Sequence, residues 1–155
     1  MRARGRLRIV HGRNWYARLI ARALRMPRAG DAVETELVVM RDESGERWMR
    51  IFASQRLDSR QYPVGDGDVA ERFGAIEFRF HLEGSGATTS YRQVGVALVA
   101  GPIRVPLPRV CAPVVTARED VTGPGTRHID VRLDLPIVGP ILSYAGTIVL
   151  DEVVS

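Results

Sequence analysis

Between Glu46 and Ser54 an arginine stands between two aromatics on one face of a strand-like run. Successive side chains of a strand point to opposite sides, so Trp48, Arg50 and Phe52 share that face. The face otherwise looks buried, and a guanidinium there needs an acid, which Glu71 or Glu119 can supply. Glu119 lies on a face with Val115, Ala117 and Val121, so it too points at apolar surroundings. A buried Arg–Glu pair can be structural, holding strand register at a desolvation cost. Alternatively, the planar donor fork of Arg50 can anchor a ligand carboxylate or enolate inside an oily cavity. Tyr144 shares a face with Leu142, Ile148 and Leu150, and Gly146 is expected to leave space beside it. Its hydroxyl can serve a ligand carbonyl or a backbone group. Tyr91 offers the same two choices.

Other chemistries find less support. There is no lysine in the chain, which excludes Schiff-base chemistry and a lysine general base. His11, His81 and His128 show no metal-ligand spacing, so no metal site is expected. His81 is read as solvated beside Glu77 and Arg79, and Cys111 as a small buried hydrophobe. Gly84–Ser90 has neither the Gly-Lys-Ser/Thr ending nor the following helix of a phosphate loop, and reads as a turn. No Gly-x-Ser-x-Gly elbow supports a hydrolase triad. No cofactor is expected.

The elements that must position these residues are strands. Gly5–Gly12 alternates Leu7 and Ile9 against Arg6 and Arg8. Asn14 is placed to cap a helix from Trp15 to about Met26, stopped by Pro27 and Gly30. Its apolar stripe is read as Trp15, Leu19, Ile20, Ala23 and Leu24, opposite Arg18, Arg22 and Arg25. Ala32–Arg41, Glu46–Ser54 and Gln55–Tyr62 follow as strands, and Pro63–Asp68 as a loop. Val69–Leu82 changes face: Glu71 and Phe73 are odd, Ile76, Phe78 and Phe80 even, and a bulge at Gly74 would account for the swap. Thr88–Ala100, Val114–Val121, Arg127–Leu135 and Ile141–Leu150 complete the set. Pro106, Pro108 and Pro113 confine the segment between them to a sheet edge or an extended crossing. About nine antiparallel strands with one N-terminal helix predict a barrel or a curled half-barrel, since closure removes exposed edges.

The 155 residues fit one domain, with a basic N-terminal strand and helix over 1–30 and an antiparallel body over 31–155. A single cysteine excludes an intramolecular disulfide framework, and no apolar run approaches membrane-spanning length. Leu7–Val10 is too short for the core of a signal peptide, and a cytoplasmic location is expected. Charge is strongly divided. Residues 1–28 hold nine arginines and no acid, whereas the remaining chain holds 13 arginines against 18 acids. The basic segment can pack on the acidic body, or its helix can touch a membrane surface or an acidic partner. Nucleic acid is not expected, because the body lacks a basic groove lined with aromatics.

Several pieces in order, Trp48-x-Arg50-x-Phe52, Glu71-x-Phe73-Gly74, Phe78-x-Phe80-x-Leu82 and Pro106-Leu-Pro108, resemble the bacterial family catalogued as domain of unknown function 4166. Glu119, Leu135-Pro-Ile-Val-Gly139, Tyr144-x-Gly146 and the Met26-Pro27 helix end extend the match nearly end to end. The resemblance implies a stand-alone member, or a relative of tails that follow NAD(P)-binding dehydrogenase-like domains. It implies little about activity, and this chain carries no glycine-rich dinucleotide fingerprint.

The leading expectation is a binding module for one hydrophobic small molecule, lipid or polyketide-like. Its walls would be Trp48, Phe52, Phe78, Phe80 and Tyr144, with Arg50 orienting the acidic end and helix 15–26 partly covering the opening. A cofactor-free cyclase or isomerase on the same ligand is the alternative, using Arg50 or Tyr144 to polarise and Glu71 or Glu119 to move a proton. The third is a non-catalytic partner of a dehydrogenase-like protein. The ligand and the oligomeric state are not written in the sequence.

Overall fold

The period-two alternation resolves into eleven strands and one helix in the computed structural model, which describes residues 1–65 and 67–151. In chain order these are β1 (Arg2–His11), α1 (Trp15–Ala23), β2 (Gly30–Asp42), β3 (Gly45–Phe52), β4 (Gln55–Val64) and β5 (Asp68–Phe73). Then come β6 (Ile76–Ser85), β7 (Thr88–Ala100), β8 (Ile103–Pro106), β9 (Val114–Gly123), β10 (Thr126–Leu135) and β11 (Gly139–Leu150). Of the predicted loop Pro63–Asp68, Asp66 lies outside the described residues.

All pairings are antiparallel. Strands β1 to β6 pair in sequence, β6 joins β7, β7 joins β9, and β9–β10–β11 lead back to β1. Ten strands therefore close into a barrel. The eleventh, β8, borders only the second half of β7, through Ala97↔Pro106 to Ala100↔Ile103. This is the edge position its prolines require. Two differences raise the count above nine. The Pro-rich segment contributes β8, and Val69–Leu82 is two strands rather than one bulged strand. Gly74 adopts a φ of 57°, and with Ala75 it turns the chain so that Phe73 pairs with Ile76. The change of parity is a hairpin, with glycine supplying the left-handed conformation.

The seam between β1 and β11 depends on missing side chains. A Cβ on Gly146 would lie 2.4 Å from the Arg6 carbonyl oxygen and 3.0 Å from Leu7 Cδ2, and one on Gly5 would lie 2.1 Å from Thr147 O. Gly146 thus allows two backbones to approach closely; it does not leave room beside Tyr144.

Helix α1 caps one end of the barrel. Asn14 Oδ1 accepts a hydrogen bond from Ala17 N at 2.6 Å, the predicted cap. The helix ends at Ala23, earlier than expected, and Arg25 takes the left-handed position beyond it (φ 51°). The buried face is also different. Ala17 and Ala21 are fully buried and Ile20 packs on the core, whereas Trp15, Tyr16, Leu19 and Leu24 are exposed. Small residues let the helix sit close to the barrel end, and the large apolar ones are turned outward.

Candidate ligand cavity

Inward-facing side chains do not fill the barrel. A cavity of about 1120 Å³ runs through it, walled by Leu, Ile, Val and Phe from nearly every strand. Fully packed interiors contain few voids larger than a water molecule, so this space is far outside ordinary packing defects. Ile20, Leu24, Met26 and Pro27 from α1 and the chain after it line one end. Between β7 and β9 at that end the ladder is interrupted: Gln93 Nε2 donates to Pro113 O at 2.9 Å and its Oε1 accepts from Val115 N at 2.6 Å, replacing backbone pairing. Leu107, Cys111 and Pro113 line the cavity there. Cys111 is exposed, contrary to the buried position expected of it, because Pro108 to Pro113 forms the rim of the gap and not a core strand.

One polar cluster stands inside this apolar wall. Arg50 projects from the middle of β3 and donates from Nη2 to Glu71 Oε1 at 2.7 Å and from Nη1 to Ser59 Oγ at 2.7 Å. Ser59 in turn donates to the same Glu71 oxygen at 2.6 Å, closing a three-membered ring of hydrogen bonds. Only 14% of the Arg50 side chain and 10% of that of Glu71 are exposed. The guanidinium also lies 5.1 Å from the centre of the Trp48 ring and 5.7 Å from that of Phe73, within cation–π range. Burial opposes its charge most strongly, but the Glu71 carboxylate together with the Tyr144 and Tyr91 phenols more than offsets it and holds the pKa of Arg50 above its ordinary value. Arg50 is therefore charged and already neutralised by its neighbour.

Two tyrosine hydroxyls face the same space without a protein partner among the described residues. Burial pushes the Tyr144 phenol upward, with Arg50 pulling partly the other way. Tyr91 is pushed up to about 12 by burial, then by the carboxylates of Glu119 and Glu71. Both remain neutral donors at physiological pH. Tyr144 packs edge-on against Phe52 with ring centres 5.6 Å apart, and Phe80 stands edge-on to Tyr91 at 5.9 Å. Phe78 and Phe80 stack at 6.1 Å and also line the cavity.

The predicted residues meet as follows. Arg50, Glu71, Trp48, Phe52, Phe78, Phe80 and Tyr144 all border the cavity, and Glu71 is the acid that Arg50 takes. Glu119 also borders it but binds Arg127, so it belongs to a second polar group. Ser59, Phe73 and Arg127 join them without a sequence expectation. Ser59 and Phe73 carry the alternation signal of their strands; for Arg127, the residue opposite Val121 across the β9–β10 ladder, spacing alone was silent.

One predicted wet face is not wet. Glu77, on the outside of β6, is only 5% exposed, because Arg104 from β8 crosses over it. Arg104 Nε donates to it at 2.9 Å, Arg79 Nε at 3.4 Å, and Tyr62 through its hydroxyl. Although burial works against the charge, these donors hold Glu77 below the usual carboxylate range. His81 Nδ1 lies 2.7 Å from Asp68 Oδ1, and no group of three metal-ligating side chains occurs among the described residues.

Comparison with known families places the chain. The model of a family described as a domain of unknown function, DUF4166, matches residues 1–148. The chain belongs to the DUF4166 family. No curated protein and no solved structure matches it. Every element that builds the DUF4166 barrel, from β1 to nearly the end of β11, falls within the matched span. No helix among the described residues is long and apolar enough to cross a membrane.

Proposed function

We propose that this DUF4166 barrel binds one hydrophobic small molecule, lipid or polyketide-like, in its central cavity. The observation that carries this reading is the large void itself, apolar over most of its wall and furnished with a few convergent polar groups. Such space is costly to keep empty, since each lining side chain forfeits its packing contacts. The polar groups also limit the ligand. Arg50 is compensated by Glu71, so a second carboxylate gains little there. Tyr91 and Tyr144 are unpartnered neutral donors, which suits a carbonyl or hydroxyl better than an acid. The ligand is thus a largely apolar body with a neutral oxygen-bearing group near Arg50. Trp48, Phe52, Phe78 and Phe80 pack its body.

A cofactor-free cyclase or isomerase in the same cavity would need a carboxylate free to move a proton. Glu71 accepts from Arg50 and Ser59, and Glu119 from Arg127, so the geometry favours holding over converting. Native mass spectrometry of freshly purified protein tests the reading. The expected result is a bound apolar compound of one-to-one stoichiometry, released by organic solvent. Protein that is empty as purified and takes up none of a panel of sterols, quinones, fatty alcohols and polyketides would overturn it.

A further inference from the structure

The nine arginines of residues 1–28 divide sharply by position. Those on the outer face of β1 are matched by acids of β2: Arg2 and Arg4 face Glu36 at 2.5 and 3.8 Å, Arg6 faces Glu34 at 3.9 Å, and Arg8 faces Asp31 at 3.3 Å. Those on and around α1, Arg13, Arg18, Arg22, Arg25 and Arg28, make no ion pair among the described residues. No acid occurs in the chain before Asp31. The acidic body therefore neutralises the strand and leaves the helix positive.

The same helix turns its large apolar side chains outward. Trp15, Tyr16 and Leu19 are 58, 56 and 56% exposed, and the first two stack on each other with ring centres 3.7 Å apart. Beside them lies the β10–β11 turn, tied to the helix start by Asn14 Nδ2 donating to Val138 O at 2.8 Å. At its tip Ile137 is 100% exposed and held at a φ of 72°. A β-branched residue in the left-handed region is strained, and glycine would sit there without penalty. An isoleucine kept in that place, with nothing to touch, gains nothing for the folded monomer.

We propose that this end of the barrel docks on an anionic lipid surface. Trp15, Tyr16, Leu19 and Ile137 enter the interface and the five unpaired arginines contact lipid phosphates. Aromatic and aliphatic side chains ringed by arginine are the chemistry of interfacial insertion, and each cation near such a surface adds to binding. Continuity with the cavity fits this orientation, because Leu24 of the same segment is exposed and also lines the cavity mouth. The docking surface stands on its own charge and exposure, independently of what the cavity holds.

Flotation with vesicles of phosphatidylcholine alone, and with 30% phosphatidylglycerol added, tests the proposal on the full chain. Binding to the anionic vesicles only, weakened by raised salt, is expected. Arg18→Gln and Arg22→Gln should each lower it about fivefold. Ile137→Gly is the decisive variant: it should weaken vesicle binding while raising the melting temperature, which a structural role for Ile137 would not do. Equal binding to both vesicle types, no vesicle binding, or retention on RNA without vesicle binding would each overturn the assignment. So would undiminished flotation of the Ile137→Gly and Arg22→Gln proteins.

Discussion

Two carboxylates, Glu71 and Glu77, sit six residues apart in chain order, are nearly equally buried, and are each bound by arginine, yet they face opposite sides of the barrel wall. Glu77 is covered from outside by Arg104 of β8, and its donors, with the Tyr62 hydroxyl and Arg79, come from three elements that it ties together. Nothing beyond it is open. Glu71 faces inward with Arg50 and Ser59, and beyond that ring lies the apolar cavity with two phenols that have no protein partner among the described residues. An Arg–Glu pair alone therefore does not mark a site. What does is the pair's outlook: a satisfied cluster under a strand is architecture, whereas one bordering a void has a surface left to offer.

Breaking the inner pair is expected to have the largest effect. Arg50→Met leaves the Glu71 carboxylate buried without its cation and should cost about 3–5 kcal/mol in chemical denaturation. The double change Arg50→Met with Glu71→Leu should recover most of that loss. Failure to recover would mean that packing of the guanidinium on Trp48 and Phe73, not charge compensation, is its main contribution. Glu77→Gln should cost about 1–3 kcal/mol at pH 7, since one buried charge-assisted set of hydrogen bonds is weakened. The pH dependence has a definite sign. Glu77 titrates lower when folded than its ordinary 4.5, so its contribution is complete above that value and fades as pH falls through the folded pKa. The gap between wild type and Glu77→Gln, followed by denaturation from pH 7 to pH 3, should therefore narrow on the acid side. A gap that stays constant would remove the charge from the account.

The smallest stability effects belong to the tyrosines. Tyr91→Phe and Tyr144→Phe remove hydroxyls that have no protein partner among the described residues, and stability should change by under about 0.5 kcal/mol. Each should nonetheless weaken binding of a co-purifying ligand about fivefold, the worth of one hydrogen bond. The reverse pattern, lost stability with unchanged affinity, would make both phenols part of the architecture and shift the comparison toward Glu77.

Much of this arrangement is legible in the sequence, and its gaps have physical causes. Alternation fixes which residues of β3, β5, β6, β10 and β11 face inward, which is why Arg50, Glu71, Phe78 and Tyr144 meet as expected. Alternation is blind to what crosses the outer face, so Glu77 reads as solvated although β8 buries it. A two-residue turn and a bulge both swap parity, and only pairing distinguishes the turn at Gly74 from the bulge expected there. Periodicity weighs the larger apolar residues of the helix, but close approach to a barrel end selects Ala17 and Ala21. Cavity volume is not written in periodicity at all, because it depends on barrel radius against the summed side-chain volume.

Filling the cavity shows whether it accepts an apolar molecule. Val131 lines the cavity, and Val131→Trp places a large ring in it. Titration with the neutral fluorescent probe N-phenyl-1-naphthylamine should show one saturable site in the wild type. The Val131→Trp protein should bind at least tenfold more weakly while melting at the same temperature, since the ring enters space already present. Unchanged probe affinity, or a loss of about 1–3 kcal/mol typical of an overpacked interior, would contradict the account.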